Sequence, residues 1–138
     1  MDKILVDTNI VLDLLAQREK FLEEAQKLFT LSDKNKVKLY ISSLTMANTY
    51  YILSQQMKMN NVRKTLRKFK LLVEVLPMDN KIIDLSLDSD FNDFEDAIQY
   101  YTAIENEISI IVTRNLKDFK TAKIPVITAK EYIKLSKV

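Results

Sequence analysis

The sequence contains no cysteine, histidine, glycine or tryptophan. Each absence removes a class of chemistry. Without cysteine there is no disulfide frame, thiol nucleophile or zinc-thiolate site. Without histidine the commonest general base is missing, together with the triads built on it. Without glycine there is no phosphate-cradling loop of the P-loop or dinucleotide type, because both need glycine where the backbone approaches phosphate. No apolar run approaches the roughly 20 residues needed to span a bilayer. The opening Met1-Asp2-Lys3-Ile4-Leu5-Val6-Asp7 is too short and too acidic for a signal peptide. The expectation is a soluble, cytoplasmic protein without a membrane anchor. An enzyme of this composition works with carboxylates, hydroxyls, amides, Lys or Arg, or with a metal held by oxygen ligands.

The 138 residues match one domain, expected to span 1–138, and 47% hydrophobic content is enough for a packed core. The net charge of +2 hides blocks. Residues 58–70 carry Lys58, Arg63, Lys64, Arg67, Lys68 and Lys70 and no acid. Residues 79–107 are acidic, with Lys81 as their one base, and residues 108–138 are basic again. Such blocks mark a metal pocket beside a polyanion-binding surface, or merely solvated helix faces.

Apolar runs ending in polar residues predict strands at Ile4–Val6, Leu39–Ile41, Val73–Met78, Ser109–Thr113 and Pro125–Thr128. Helical spacing fills the intervals. One helix begins near Ile10 and another runs from Phe21 to Leu31. A third places Leu44, Ala47, Tyr51 and Ile52 on one side, capped by Ser42 or Ser43. Val62, Leu66 and Phe69 form the stripe of the next, with Arg63, Arg67 and Lys70 beside it. Helices through Ile82–Leu87, from Asp93 (Ala97, Ile98, Tyr101 and Ile104 inward) and from Ala129 complete the set. Alternating strands and helices predict an α/β fold with a parallel sheet, the last strand at an edge.

In such a sheet, sites form at the carboxyl ends of strands. Strand one ends in Asp7 and Asn9, strand two in Ser42 and Ser43 with Asn48 a turn further on. Strand four ends in Thr113, Arg114 and Asn115, with Asp118 beyond them. Asp93 and Asp96 open the helix leading into strand four. If strands one and four are neighbours, Asp7, Asp96 and Asp118 converge. Convergent carboxylates cannot all ionise cheaply without a cation, and an oxygen-only cluster suits Mg²⁺ or Mn²⁺. Metal-assisted phosphodiester hydrolysis follows, with Arg63, Lys64, Arg67, Arg114 and Lys117 as candidate contacts to a phosphate backbone. Plainer readings stand beside this. Asp7 caps a helix. Asp93 and Asp96 have capping-box spacing. Asn9, Asn115 and Asp118 are turn residues, and Tyr50, Tyr51, Tyr100 and Tyr101 pack helices.

Three segments together resemble a PIN domain, and more closely the bacterial VapC-like toxin ribonucleases. They are Ile4-Leu5-Val6-Asp7-Thr8-Asn9-Ile10-Val11-Leu12-Asp13, Asp93-Phe94-Glu95-Asp96-Ala97 and Ile111-Val112-Thr113-Arg114-Asn115-Leu116-Lys117-Asp118-Phe119. The resemblance implies a three-layer α/β/α sandwich with a parallel sheet of about five strands. It implies a Mg²⁺- or Mn²⁺-dependent endoribonuclease, the toxin of a toxin–antitoxin pair, with a cognate antitoxin that occludes the site and frequent homodimers. Asp7 matches the first acidic ligand, and Asp96 the acid opening the helix before strand four. Asn115 and Asp118 match the polar positions after that strand. The sequence departs from the pattern twice. Asn48 stands where the family often has Glu, and Asn115 where Asp is commoner. An amide oxygen ligates Mg²⁺ but carries no charge and cannot act as a base. Ser42, Ser43 or Asp93 compensates, or the chain is a degenerate PIN domain that binds RNA or a protein partner without turnover. A phosphatase of the haloacid dehalogenase type is the remaining alternative, although that family needs Asp where Asn9 stands.

Overall fold

The structure is a computed structural model, described here for residues 1–136. Five parallel strands form one sheet in the order β3-β2-β1-β4-β5. The strands are β1 Asp2–Val6, β2 Val37–Ser42, β3 Glu74–Leu76, β4 Ile110–Val112 and β5 Val126–Ile127. Helices α1 Thr8–Leu15 and α2 Leu22–Asp33 join β1 to β2. Helices α3 Ser43–Leu53 and α4 Met59–Phe69 lead to β3, and α5 Asn80–Leu87 and α6 Phe94–Glu105 lead to β4. A single 3₁₀ turn, Leu116–Phe119, precedes β5, and α7 Ala129–Ser136 follows it. Residues 137–138 lie outside the description.

Side-chain alternation along the strands builds the two cores. Ile4 and Val6 point to one face and pack with Ile10, Val11, Leu28, Phe29 and Tyr132 of α1, α2 and α7. Leu5 and Ile111 point to the other, against Tyr100, Ala103 and Phe119. A third cluster, Leu12, Leu53, Val62 and Leu66, ties α1 to α3 and α4. The result is the expected three-layer α/β/α sandwich, with β5 at an edge.

Helix starts follow the cap rule. The side chains of Asp7, Ser42, Asp79 and Asp93 accept backbone N–H groups at the starts of α1, α3, α5 and α6. Thr128 and Glu131 exchange reciprocal bonds of 3.0 and 3.1 Å, a capping box opening α7. Helix ends show what the lack of glycine costs. Gln17, Asn35 and Glu107 take positive φ of 51°, 57° and 56°. Each follows a helix and forms a Schellman motif. After α1, for example, Arg18 N–H donates to Asp13 O (3.1 Å) and Gln17 N–H to Leu14 O (3.3 Å). A side chain bearing Cβ in this region is strained by roughly 1–2 kcal/mol.

Two expected faces differ from the structure. The inward side of α3 is Thr45, Thr49 and Leu53, whereas Ala47 and Tyr51 are exposed. The helix packs a polar stripe inward because it borders a buried hydrogen-bond network, described below. Ile104 also sits at the surface, near the end of α6.

Candidate active site

β1 and β4 are neighbours, with Val6 level with Val112. From β1 the chain departs toward β2, while β4 lies on the other flank, so the strand order reverses between them. Ligand sites of open α/β sheets form at such a point. Asp7 follows Val6 directly, and its N–H donates to Val112 O at 3.0 Å. Thr113 follows Val112. The two strand ends therefore place Asp7 and Thr113 side by side.

Asp7 is 7% exposed and held by several donors. Oδ1 accepts from Thr8 N–H (2.8 Å) and Gln99 Nε2 (3.1 Å). Oδ2 accepts from the Thr113 hydroxyl (2.8 Å) and, more weakly, Asn9 Nδ2 (3.4 Å). Gln99 also donates to Thr45 Oγ1 at 2.7 Å, and the Thr45 and Thr8 hydroxyls meet at 2.9 Å. This network explains why Thr45 of α3 faces inward, whereas the hydroxyl of Thr49, one turn on, is buried without a partner. Burial pushes the Asp7 carboxyl above its ordinary range, while the Thr113, Thr8 and Gln99 bonds pull it down and Asp118 pushes it up further.

A cleft of about 510 Å³ opens over these strand ends. Asp7, Asn9, Asn48, Asp93, Glu95, Asp96, Gln99, Asn115 and Asp118 line it together with Thr8, Leu12, Arg18, Leu44, Tyr51 and Ile52. The carboxyl of Asp96 is raised from 3.8 to about 7. Partial burial is the largest cause, followed by the charges of Asp93, Asp7, Asp118 and Glu95. Asp7, Asp96 and Asp118, distant in sequence, thus share one cavity and feel one another's charge.

Other predicted residues fall in different places. Asp93 caps α6 by accepting Asp96 N–H at 3.0 Å, and its carboxylate also lines the cleft. Asn115 makes no side-chain cap bond and lines the cleft beside Asp118. Asn9 is more than a turn residue, because it bridges Asp7, Thr113 and the N–H of Arg114. Ser42 is buried as the cap of α3, and Ser43 lies outside the cleft lining. Arg63, Lys64 and Arg67 are exposed on α4, outside the cleft. Lys117 borders a smaller recess of about 160 Å³ that shares Asp93, Asp96 and Asp118 with the cleft. Arg114 turns inward. Its guanidinium donates to both oxygens of Asp13, at 2.8 and 3.1 Å, and stacks 3.9 Å from the Phe21 ring. That engagement removes it from the surface contacts expected of it.

Sequence reasoning missed Gln99, Thr45, Glu95 and Arg18. Gln99 stands three positions after Asp96, one helical turn along the same face, and that spacing was the available signal. Glu95 accepts from Asn48 Nδ2 at 2.7 Å. A carboxylate from α6 therefore sits beside the position where α3 carries an amide.

The donor set is entirely oxygen, from carboxylates, amides and hydroxyls, and its carboxylates repel one another. A hard divalent cation meets both conditions. Among the described residues no three acidic side chains form a ready-made ligand group. The fit is therefore to a largely hydrated ion such as Mg²⁺, which is commonly held by one or two carboxylates and keeps several waters. Asp7, Asp96 and Asp118 could hold it, with Asn115 as a neutral neighbour.

Residues 3–117 match the PIN domain family. The chain belongs to the PIN domain family. It is 27% identical over 139 residues to Ribonuclease VapC1 of Aquifex aeolicus (strain VF5), covering 95% of this chain and 93% of that protein. Among solved structures it is similar to a toxin–antitoxin complex from Klebsiella pneumoniae, with TM-score 0.68, 26% identity, and 91% of this chain and 97% of that one covered. VapBC2 from Rickettsia felis, bound to a DNA fragment from its promoter, gives TM-score 0.67 at 19% identity, with 91% and 96% covered. This PIN domain carries amides at Asn48 and Asn115 in the lining of its cleft.

Proposed function

We propose that this PIN domain is a Mg²⁺- or Mn²⁺-dependent endoribonuclease, the toxin of a toxin–antitoxin pair. One observation carries the reading. Carboxylates at the end of β1, in α6 and in the 3₁₀ turn line one cleft, where Asp96 is pushed to about 7. That arrangement is costly unless a cation relieves it.

A bound divalent ion supplies positive charge at a phosphoryl oxygen and acidifies water. The chain's own residues do the rest. Asp7 is locked by Thr8, Gln99 and Thr113, so its carboxylate cannot swing away when substrate enters. Asn9 and Thr113 tie the ends of β1 and β4 into one rigid floor. Asn48 holds Glu95, adding negative charge on the α3 side of the cleft. Leu44, Tyr51 and Ile52 form a neutral wall. Tyr51 is 68% exposed and so offers a ring face to an RNA base.

RNA is the proposed substrate, held in part by the basic face of α4. The proposed protein partners are a cognate antitoxin that occludes the cleft and a second copy of the chain. The similarity to toxin–antitoxin complexes supports the first. No helix among the described residues is long and apolar enough to cross a membrane, and we place the activity in the cytoplasm with its RNA.

A second reading, binding without turnover, is favoured by the lack of a ready-made group of three acidic ligands. One assay separates the two. Purified protein is incubated with RNA and Mg²⁺ or Mn²⁺, beside Asp7→Asn and Asp96→Asn variants of unchanged circular dichroism. Cleavage by the parent alone supports the enzyme. RNA binding that survives EDTA, without product at any metal concentration, supports the second reading. Equal cleavage by all three rejects the site.

A further inference from the structure

Among the described residues, the cleft has an acidic lining with a single cationic side chain, Arg18. Its backbone is fixed on both sides. Its N–H donates to Asp13 O at 3.1 Å in the Schellman motif that ends α1, and its carbonyl accepts Phe21 N–H at 2.9 Å. Its side chain is not tied down in the same way. The guanidinium approaches Asp13 only to 3.9 Å, beyond hydrogen-bond range. Asp13 already has a partner, since both of its oxygens accept from Arg114 at 2.8 and 3.1 Å. One buried negative charge is matched by one positive charge. The charge of Arg18 is therefore surplus to that pair, and its side chain is 39% exposed at the cleft.

We propose that Arg18 positions the substrate by binding an RNA phosphate at the rim of the acidic floor. The proposal rests on the nuclease reading above. A phosphodiester approaching several carboxylates is repelled, and a guanidinium on an anchored backbone offsets that repulsion while offering two parallel N–H donors to phosphate oxygens. The buried Asp13–Arg114 pair and the Phe21 ring support the loop from beneath, so Arg18 need not reorganise its backbone to bind.

The test uses the full chain carrying Asp96→Asn, so that RNA stays intact, and a fluorescein-labelled single-stranded RNA of mixed sequence. Affinity is measured across a salt series. Adding Arg18→Ala is expected to weaken binding about tenfold. The slope of log K against log salt should fall by about 0.7, one phosphate contact on a single strand. Arg18→Lys should restore the slope but only part of the affinity. A merely structural Arg18 would leave affinity and slope unchanged and lower only the melting temperature, and that result overturns the proposal. A parent chain that binds no RNA overturns the nuclease reading and this inference together, whereas a parent that binds with an unaltered Arg18→Ala slope overturns the inference alone.

Discussion

Replacing Arg114 by alanine should damage stability far more than RNA binding. Asp13 is 1% exposed and accepts from Arg114 with both oxygens. Removing the guanidinium leaves a buried carboxylate without a hydrogen-bonded cation, its other cationic neighbour Arg18 standing 3.9 Å away. Breaking such a pair from one side costs about 3–5 kcal/mol, because the remaining charge has lost its compensation. The lost stacking on Phe21, at 3.9 Å, adds to this. For 138 residues, with an unfolding entropy of about 2.1 cal/mol/K per residue, that loss lowers Tm by roughly 10–17 °C. Urea denaturation and a thermal melt read both quantities. The reverse control is Asp13→Leu with Arg114→Met, which removes both charges together and should recover most of the loss. A loss under about 1 kcal/mol for Arg114→Ala is what an exposed pair gives. It would refute the assignment of this contact as a buried structural tie. A large drop in RNA affinity at unchanged stability would return Arg114 to the substrate surface.

Metal-free protein should gain stability as pH falls from 8 to 5. Asp96 has a folded pKa of about 7 against 3.8 unfolded, so the folded state binds its proton more tightly. Its unfavourable contribution is absent below about 4, grows through the interval and is complete above about 7. The raised Asp7 carboxyl acts in the same direction. Asp96→Asn should stabilise the metal-free chain at pH 8 and lose that advantage near pH 4, and denaturation at both values measures it. Glu107→Gly should stabilise by about 0.5–1 kcal/mol, since relief of left-handed strain exceeds the added unfolded-state entropy. A urea midpoint unchanged or lowered would show that φ of 56° there carries no strain. Tyr51→Ala should weaken binding of single-stranded RNA by about 1–3 kcal/mol with the melt unchanged. Unchanged affinity would exclude the ring as a stacking surface.

The sheet was legible because each strand is a short apolar run ending in polar residues. So was the strand-end rule that singles out Asp7, Thr113 and Asn115. The pairing of β1 with β4 could be stated only as a condition, because parallel neighbours leave no mark on local sequence. The α3 face was misread for a physical reason. Thr45 is buried for hydrogen bonding to Gln99 and its neighbours, Thr49 is buried beside it without a hydroxyl partner, and a search for apolar stripes passes over both. Arg114 looked like a surface cation because its partner lies 101 residues away. Asp13 gave the warning, as an acid within the apolar stripe of Ile10, Val11 and Leu14. Arg18 had no periodic or motif signal, and Glu95 was passed over inside the Asp93–Ala97 segment, since the importance of both comes from which side of the cleft they occupy.

The central claim is that separated acids assemble one divalent-cation site. Titration of purified protein with Mn²⁺, followed by the loss of the free-ion electron paramagnetic resonance signal, tests it without relying on activity. The expected result is saturable binding that competes with Mg²⁺ and falls at least tenfold in both Asp7→Asn and Asp96→Asn. Mn²⁺ binding of the same strength in all three proteins, or none in the parent, would contradict it.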